Sequence, residues 1–136
     1  DAYRRFGADV GVAFQLRDDM LGVFGDPEVT GKPAGDDPRE GKRTLLVALA
    51  LERARERGDA AAAEVVTDAL GDADLDDAGV DRVRQVLVDL GATDAVEDRI
   101  ATLTTSALDA LAGADVAEPA AAMLVDLADR ATRRRR

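Results

Sequence analysis

The sequence predicts an all-α protein, and three observations carry that expectation. Apolar residues fill 46% of the 136 positions but aromatics only 3%, a balance rich in alanine and aliphatics that favours close-packed helices. Apolar residues recur at helical spacing in segment after segment, with no strand-like alternation and no internal repeat. Helix punctuation stands between those segments, with Gly58 and Gly91 as stops and Pro119 as a start.

The spacing predicts a first helix from Tyr3 to about Gly25. Phe6, Val10, Ala13, Phe14, Met20, Leu21 and Phe24 cover most of its circumference, which places it in the middle of a bundle. Residues 26–43 read as a long loop, broken by Asp26-Pro27, Gly31, Pro33, Gly35, Pro38 and Gly41. A loop of that length is uncommon in a compact domain unless it is functional or disordered.

Residues 44–57 form the next helix, with Leu45, Leu46, Leu49 and Ala50 as its apolar stripe and Arg53, Arg55 and Arg57 in its last turn. A shorter helix covers 59–70, and 71–77 is an acidic connector. Residues 78–90 are helical, with Val80, Val83, Val86, Leu87 and Leu90 on one side. Asp94 and Glu97 resemble a capping box that opens a helix through Ala112, with Ile100, Leu103, Leu108 and Leu111 inward. Pro119 opens a last helix, which runs through Met123, Leu124 and Leu127 into Arg133–Arg136. That makes about six helices.

Composition removes several classes of function. The formal net charge of −10 argues against a nucleic-acid surface. Cysteine and histidine are both absent, which excludes disulfides, the usual zinc sites, thiol nucleophiles and imidazole bases. No apolar run reaches the ~20 residues of a membrane span, and no signal peptide is visible, so the expected location is the cytoplasm. Chemistry must rest on carboxylates, cations, amides and a bound metal.

One region supplies such groups. Gln15, Asp18, Asp19 and Gly22 follow i, i+3, i+4, i+7 spacing and share a helix face. Two adjacent carboxylates among Phe14, Leu16, Met20 and Leu21 are costly unless a cation neutralises them. A solvated surface pair is the ordinary reading of Asp-Asp in an acidic chain, and those apolar neighbours weigh against it. Mg²⁺ suits the pair, because it prefers oxygen ligands and keeps water and substrate phosphate in its remaining positions. The chain's two lysines, against sixteen arginines, both lie in the following loop at Lys32 and Lys42. A lysine is a compact point charge suited to phosphate, and two kept together point to a metal- and phosphate-binding site.

The run Gly11-Val12-Ala13-Phe14-Gln15-Leu16-Arg17-Asp18-Asp19, followed by Phe24-Gly25-Asp26, Thr30-Gly31-Lys32, Gly35-Asp36-Asp37 and Gly41-Lys42-Arg43-Thr44, resembles the trans-isoprenyl (polyprenyl) diphosphate synthases around their second aspartate-rich motif. The pattern joins several fixed spacings over about a quarter of the chain, and its Arg/Ala-rich character is similar to actinobacterial geranylgeranyl-type enzymes.

The resemblance implies a helical bundle of the isoprenoid synthase type around a deep cavity. It implies a transferase that condenses isopentenyl diphosphate with an allylic diphosphate. Loss of diphosphate leaves an allylic cation, the isopentenyl double bond attacks it, and a proton departs. It further implies that Asp18 and Asp19 hold Mg²⁺, that Gln15 lies on the cavity wall, and that Lys32 and Lys42 contact the allylic diphosphate as it leaves. Asp37 matches the family's Gly-x-Asp position and is expected to order the loop or the lysines. The family is usually homodimeric.

Two departures qualify the match. The family's second motif commonly runs Asp-Asp-x-x-Asp, and here Gly22 takes the third place, with Asp26 a turn further on as a substitute. The first aspartate-rich motif and the basic residues that hold isopentenyl diphosphate lie upstream in the family and have no counterpart here. Residues 1–136 are therefore expected to be the C-terminal part of one synthase domain, a partial bundle inactive alone. The sequence begins at Asp1 rather than methionine, and its arginine tail is expected to be a natural C-terminus.

Other readings are weaker. A non-catalytic, synthase-like interaction subunit is an alternative, and a terpene cyclase ranks below it. Gly35–Thr44 is one residue too long for a P-loop and follows no strand. Asp72, Asp74 and Asp76 start like a calcium loop, but Asp77 stands at the turn glycine and Val83 at the bidentate glutamate. The tail Arg133–Arg136 reads as frayed and solvated.

Overall fold

The first helix, α1 (Ala2–Phe24), runs unbroken through the aspartate pair. A computed structural model describes residues 1–33 and 35–133. Among them are eight helices and no strand: α1, α2 (Pro27–Thr30), α3 (Asp36–Arg39), α4 (Leu45–Arg57), α5 (Ala60–Ala69), α6 (Asp77–Asp89), α7 (Ala92–Ala112) and α8 (Ala120–Thr132). The six expected helices are all present, and α2 and α3 are additional single turns inside the expected loop. Arg134–Arg136, the end of the expected tail, lie outside the described residues.

The described residues divide into two compact units, 1–18 with 97–133, and 19–96. In the first unit Phe6 and Val10 of α1 pack with Ala107, Leu111 and Ala128, and Leu108, Val116, Leu124 and Ala131 close around them. Further hydrogen bonds from two arginines join its helices. Arg17 forms a bidentate pair with Glu97, Nη1 to Oε1 at 2.6 Å and Nη2 to Oε2 at 2.7 Å. Its Nε donates to the Thr132 carbonyl at 2.8 Å, and Arg5 reaches the Ser106 hydroxyl at 3.0 Å.

The second unit packs α4, α5 and α6 together. Its buried residues include Leu46, Ala50, Val66, Val80, Val83, Leu87 and Leu90. Thr44, Asp59 and Asp76 cap α4, α5 and α6, each side chain accepting a backbone N–H from the first turn. The arginines late in α4 also serve a neighbour. Arg53 donates to the Leu90 and Gly91 carbonyls, and Arg57 donates to the Asp89 carbonyl, satisfying acceptors that the end of α6 leaves open.

Several expectations need correcting. Asp94 and Glu97 do not open α7, which starts at Ala92. The chain leaves α6 through Gly91 at φ 70° and turns straight into helix, burying Ala92 and Thr93. Glu97 is thereby one turn inside α7, bound to Arg17. The first helix is not enclosed all round, since Tyr3, Val12 and Phe14 are exposed. Leu45 is likewise exposed on α4, where Val47 and Ala54 are buried instead. On α8, Met123 and Leu127 are exposed, and Ala128 and Thr132 are buried. Asp72 and Asp76 act as turn and cap acceptors, as a plain connector requires.

Candidate metal and diphosphate site

Local sequence explains how the second unit's charged loop takes one shape. Gly25 N–H closes α1 on the Leu21 carbonyl, and the Asp26 carboxylate then caps α2 by accepting the Glu28 N–H at 2.9 Å. Asp26 is exposed, and its carboxylate serves as that cap. Gly31 ends α2 at φ 70°, in the left-handed region where a side chain is strained. The breakers therefore shape one-turn helices rather than an irregular loop.

The next segment is bound to the α5–α6 region. Gly35 also sits at φ 70°, and a Cβ there would lie 2.6 Å from both methyls of Val80. Arg39 Nε donates to the Leu75 carbonyl at 2.8 Å, and Gly71 N–H donates to the Pro38 carbonyl at 2.8 Å. Lys42 N–H then returns to the Asp37 carbonyl at 3.0 Å, and Thr44 caps α4 through the Val47 N–H. Arg84 Nε donates to the Val23 carbonyl at 2.7 Å, satisfying an acceptor in the last turn of α1.

That framework brings three predicted residues together. Lys42 Nζ lies 3.1 Å from Asp19 Oδ1 and 3.5 Å from Asp37 Oδ2. Asp19 is 8% exposed and Asp37 9%, and the lysine side chain is 40% exposed. Two nearly buried carboxylates thus share one half-exposed ammonium, which offsets much of the cost of removing them from water. Lys42 thus lies on Asp37, in keeping with the expectation that Asp37 orders the loop or the lysines, and also on Asp19, a contact that no spacing in the sequence indicates.

The other predicted residues are placed singly. Lys32 is exposed on the turn after α2, where its backbone N–H bonds the Thr30 hydroxyl at 3.3 Å. Asp18 is half-buried and Gln15 exposed, both on the α1 segment of the first unit. Phe14, beside Gln15, lines an apolar cavity of about 490 Å³ in that unit, with Phe6, Val10 and Leu127 among its other walls.

Two contributors escaped the sequence reading. Arg17, in sequence one position of the motif, fastens the α1 turn that carries Asp18 to α7 and α8. A signal was available, since an arginine directly before a carboxylate pair on an apolar helix needs a partner. Gly22 lacks the motif's carboxylate, and the Asp37 carboxylate fills the space its side chain would take.

The donor chemistry suits Mg²⁺. The Asp19 and Asp37 oxygens are hard donors that already hold a cation, the Lys42 ammonium. No group of three Asp, Glu, His or Cys is gathered as a closed metal cage among the described residues. Mg²⁺ does not demand one, because it binds through one or two carboxylates and completes its shell with water and phosphate.

Comparison with known proteins gives a consistent result. The polyprenyl synthetase family model matches residues 1–87. A geranylfarnesyl diphosphate synthase of Aeropyrum pernix is 44% identical over 105 residues, 77% of this chain and 30% of the relative. A Corynebacterium glutamicum geranylgeranyl pyrophosphate synthase, solved with isoprenyl diphosphate and magnesium, superposes with a TM-score of 0.93 at 47% identity. That match covers 99% of this chain and 37% of the other. A Caulobacter crescentus polyprenyl synthase, solved with calcium and isoprenyl diphosphate, gives 0.81 at 39% identity, covering 99% and 40%. The chain thus spans about a third of the length of these relatives.

Proposed function

This chain belongs to the polyprenyl synthetase family, and on that premise we propose that it is the C-terminal, diphosphate-activating part of a Mg²⁺-dependent prenyltransferase. The observation that carries the proposal is the Lys42 ammonium held between the Asp19 and Asp37 carboxylates at the end of α1. The same ammonium and carboxylates can receive a metal-bound diphosphate, since one binds phosphate oxygens and the others bind cations.

The substrates are an allylic prenyl diphosphate and isopentenyl diphosphate. Bound Mg²⁺ supplies charge neutralisation of the departing diphosphate. Asp18 and Asp19 hold the metal on the α1 side, and Asp37 fixes Lys42 beside it. Lys42 and the exposed Lys32 stabilise negative charge as the allylic carbon–oxygen bond breaks. The isopentenyl double bond then forms the new carbon–carbon bond, and a proton leaves its second carbon. Gln15 lies along the wall where the allylic chain rests.

In this reading residues 1–136 are one part of a single synthase domain, and the remainder supplies the isopentenyl site and a first aspartate-rich motif. The whole protein is a cytoplasmic homodimer. No helix of the described residues is long and apolar enough to cross a membrane.

The test incubates the full-length protein with both diphosphates and Mg²⁺ and measures prenyl product and released diphosphate. Asp18→Ala is expected to lower turnover at least a hundredfold with helicity unchanged, and the 136-residue chain alone to form little product. A folded full-length protein that forms no product, or an Asp18→Ala variant of near-normal activity, would refute the assignment.

A further inference from the structure

Gly22 stands where the aspartate-rich pattern carries its third carboxylate, and the space beside it is filled. A Cβ built on Gly22 would overlap Asp37 Oδ2 and Cγ and lie 2.7 Å from Oδ1. The place of a side chain at position 22 is thus taken by a carboxylate from fifteen residues further along the chain. That carboxylate is nearly buried, and it shares the Lys42 ammonium with Asp19, three residues before Gly22 on α1.

Asp37 is not there by a chance rotamer. It lies in the first turn of α3, whose preceding residue, Gly35, fits only without a side chain against Val80. The Asp37 carbonyl accepts the Lys42 N–H, so the acid and the lysine it holds belong to one turn of backbone. With α3 seated in this way, the carboxylate can leave Gly22 only by rotating its side chain away from Lys42.

We propose that Gly22 is a positioning residue. Its missing side chain admits the Asp37 carboxylate to α1, where Asp37 and Asp19 together hold the Lys42 ammonium. This deepens the reading of the site given above and rests on it. One consequence runs against intuition. Restoring aspartate at position 22 does not add a ligand, because it expels Asp37 and breaks the bridge from Asp19 through Lys42.

The experiment compares full-length wild type, Gly22→Asp, Asp37→Ala and the double variant Gly22→Asp/Asp37→Ala. Two quantities are read: the rise in melting temperature on adding MgCl₂ with inorganic pyrophosphate, and the Mg²⁺ concentration giving half-maximal turnover. Gly22→Asp is expected to lose most of the melting shift and to need at least tenfold more Mg²⁺. Asp37→Ala should behave similarly. The double variant has the same number of carboxylates as wild type, with room for the new one, and should recover more than half of the shift. If Gly22→Asp alone does not fold, folding of the double variant is the same rescue.

A Gly22→Asp protein with an unchanged or larger Mg²⁺ response overturns the proposal, as does a double variant no better than the worse single. Rescue of the melting shift in a protein that forms no prenyl product would uphold the Gly22–Asp37 pairing while removing the prenyltransferase reading. Normal product formation without rescue would do the reverse.

Discussion

Replacing Arg17 by methionine should cost the first unit about 3 kcal/mol, because one side chain there makes three bonds joining three helices. Methionine keeps most of the aliphatic volume and removes the guanidinium. A hydrogen bond to a charged group contributes about 1.5–3 kcal/mol, and breaking a fully buried pair costs about 3–5 kcal/mol. Arg17 is 12% exposed, but the Glu97 side chain is 37% exposed, so water screens part of the loss. The bidentate pair then accounts for about 2 kcal/mol, and the bond to the Thr132 carbonyl adds about 1 kcal/mol. Urea unfolding of wild type, Arg17→Met, Glu97→Gln and the double variant would measure the coupling directly. About 2 kcal/mol is expected between Arg17 and Glu97 on this ledger. Arg17→Lys should recover less than half, since an ammonium cannot match the carboxylate with a fork. A coupling below about 0.5 kcal/mol would place the pair among ordinary surface bridges and refute the reasoning.

Three further outcomes follow from the second unit. Lys42→Gln should lower turnover of the full-length protein at least a hundredfold, with partial recovery at raised Mg²⁺ as added cation replaces the lost one; steady-state rates against Mg²⁺ concentration decide it. Its stability should fall by only about 1 kcal/mol, because the lysine is 40% exposed. Lys32→Ala should leave the melting temperature within a degree or so, since that residue is exposed, yet slow turnover strongly. An unchanged rate would remove Lys32 from the diphosphate. Gly35→Ala should destabilise by about 2 kcal/mol or more, because the new methyl meets Val80 and the backbone sits at φ 70°. A thermal melt within about 0.5 kcal/mol of wild type would show that α3 can shift away.

Much of the helix plan was legible because it depends on local rules. Gly58 is the left-handed C-cap of α4, Asp59 and Thr44 are caps, and Val80, Val83, Leu87 and Leu90 are buried as their spacing requires. Where local signals competed, the neighbours decided. Asp94 and Glu97 satisfy a capping-box pattern, but Gly91 restarts the chain as helix three residues earlier and Arg17 claims Glu97. Phe14 belongs to the apolar circumference of α1 yet is exposed, because periodicity does not say how many sides of a helix are covered.

The sequence by itself determined the all-α class, the family resemblance and the chemical inventory of the site. Each of these rests on residue identity at fixed spacing: carboxylates at 18 and 19, two lysines in one loop, no histidine or cysteine. Only the tertiary structure decided which of those charges meet. Lys42 reaches Asp19 across 23 positions, and Asp37 enters the space beside Gly22. No spacing rule encodes such pairings, because they depend on where the turn from Gly35 to Thr44 is fastened. The Gly71 N–H on the Pro38 carbonyl and the side chain of Val80 against Gly35 fasten it, both from more than thirty residues away in sequence. A glycine that reads in sequence as a lost ligand is, in the folded chain, the opening through which another carboxylate enters.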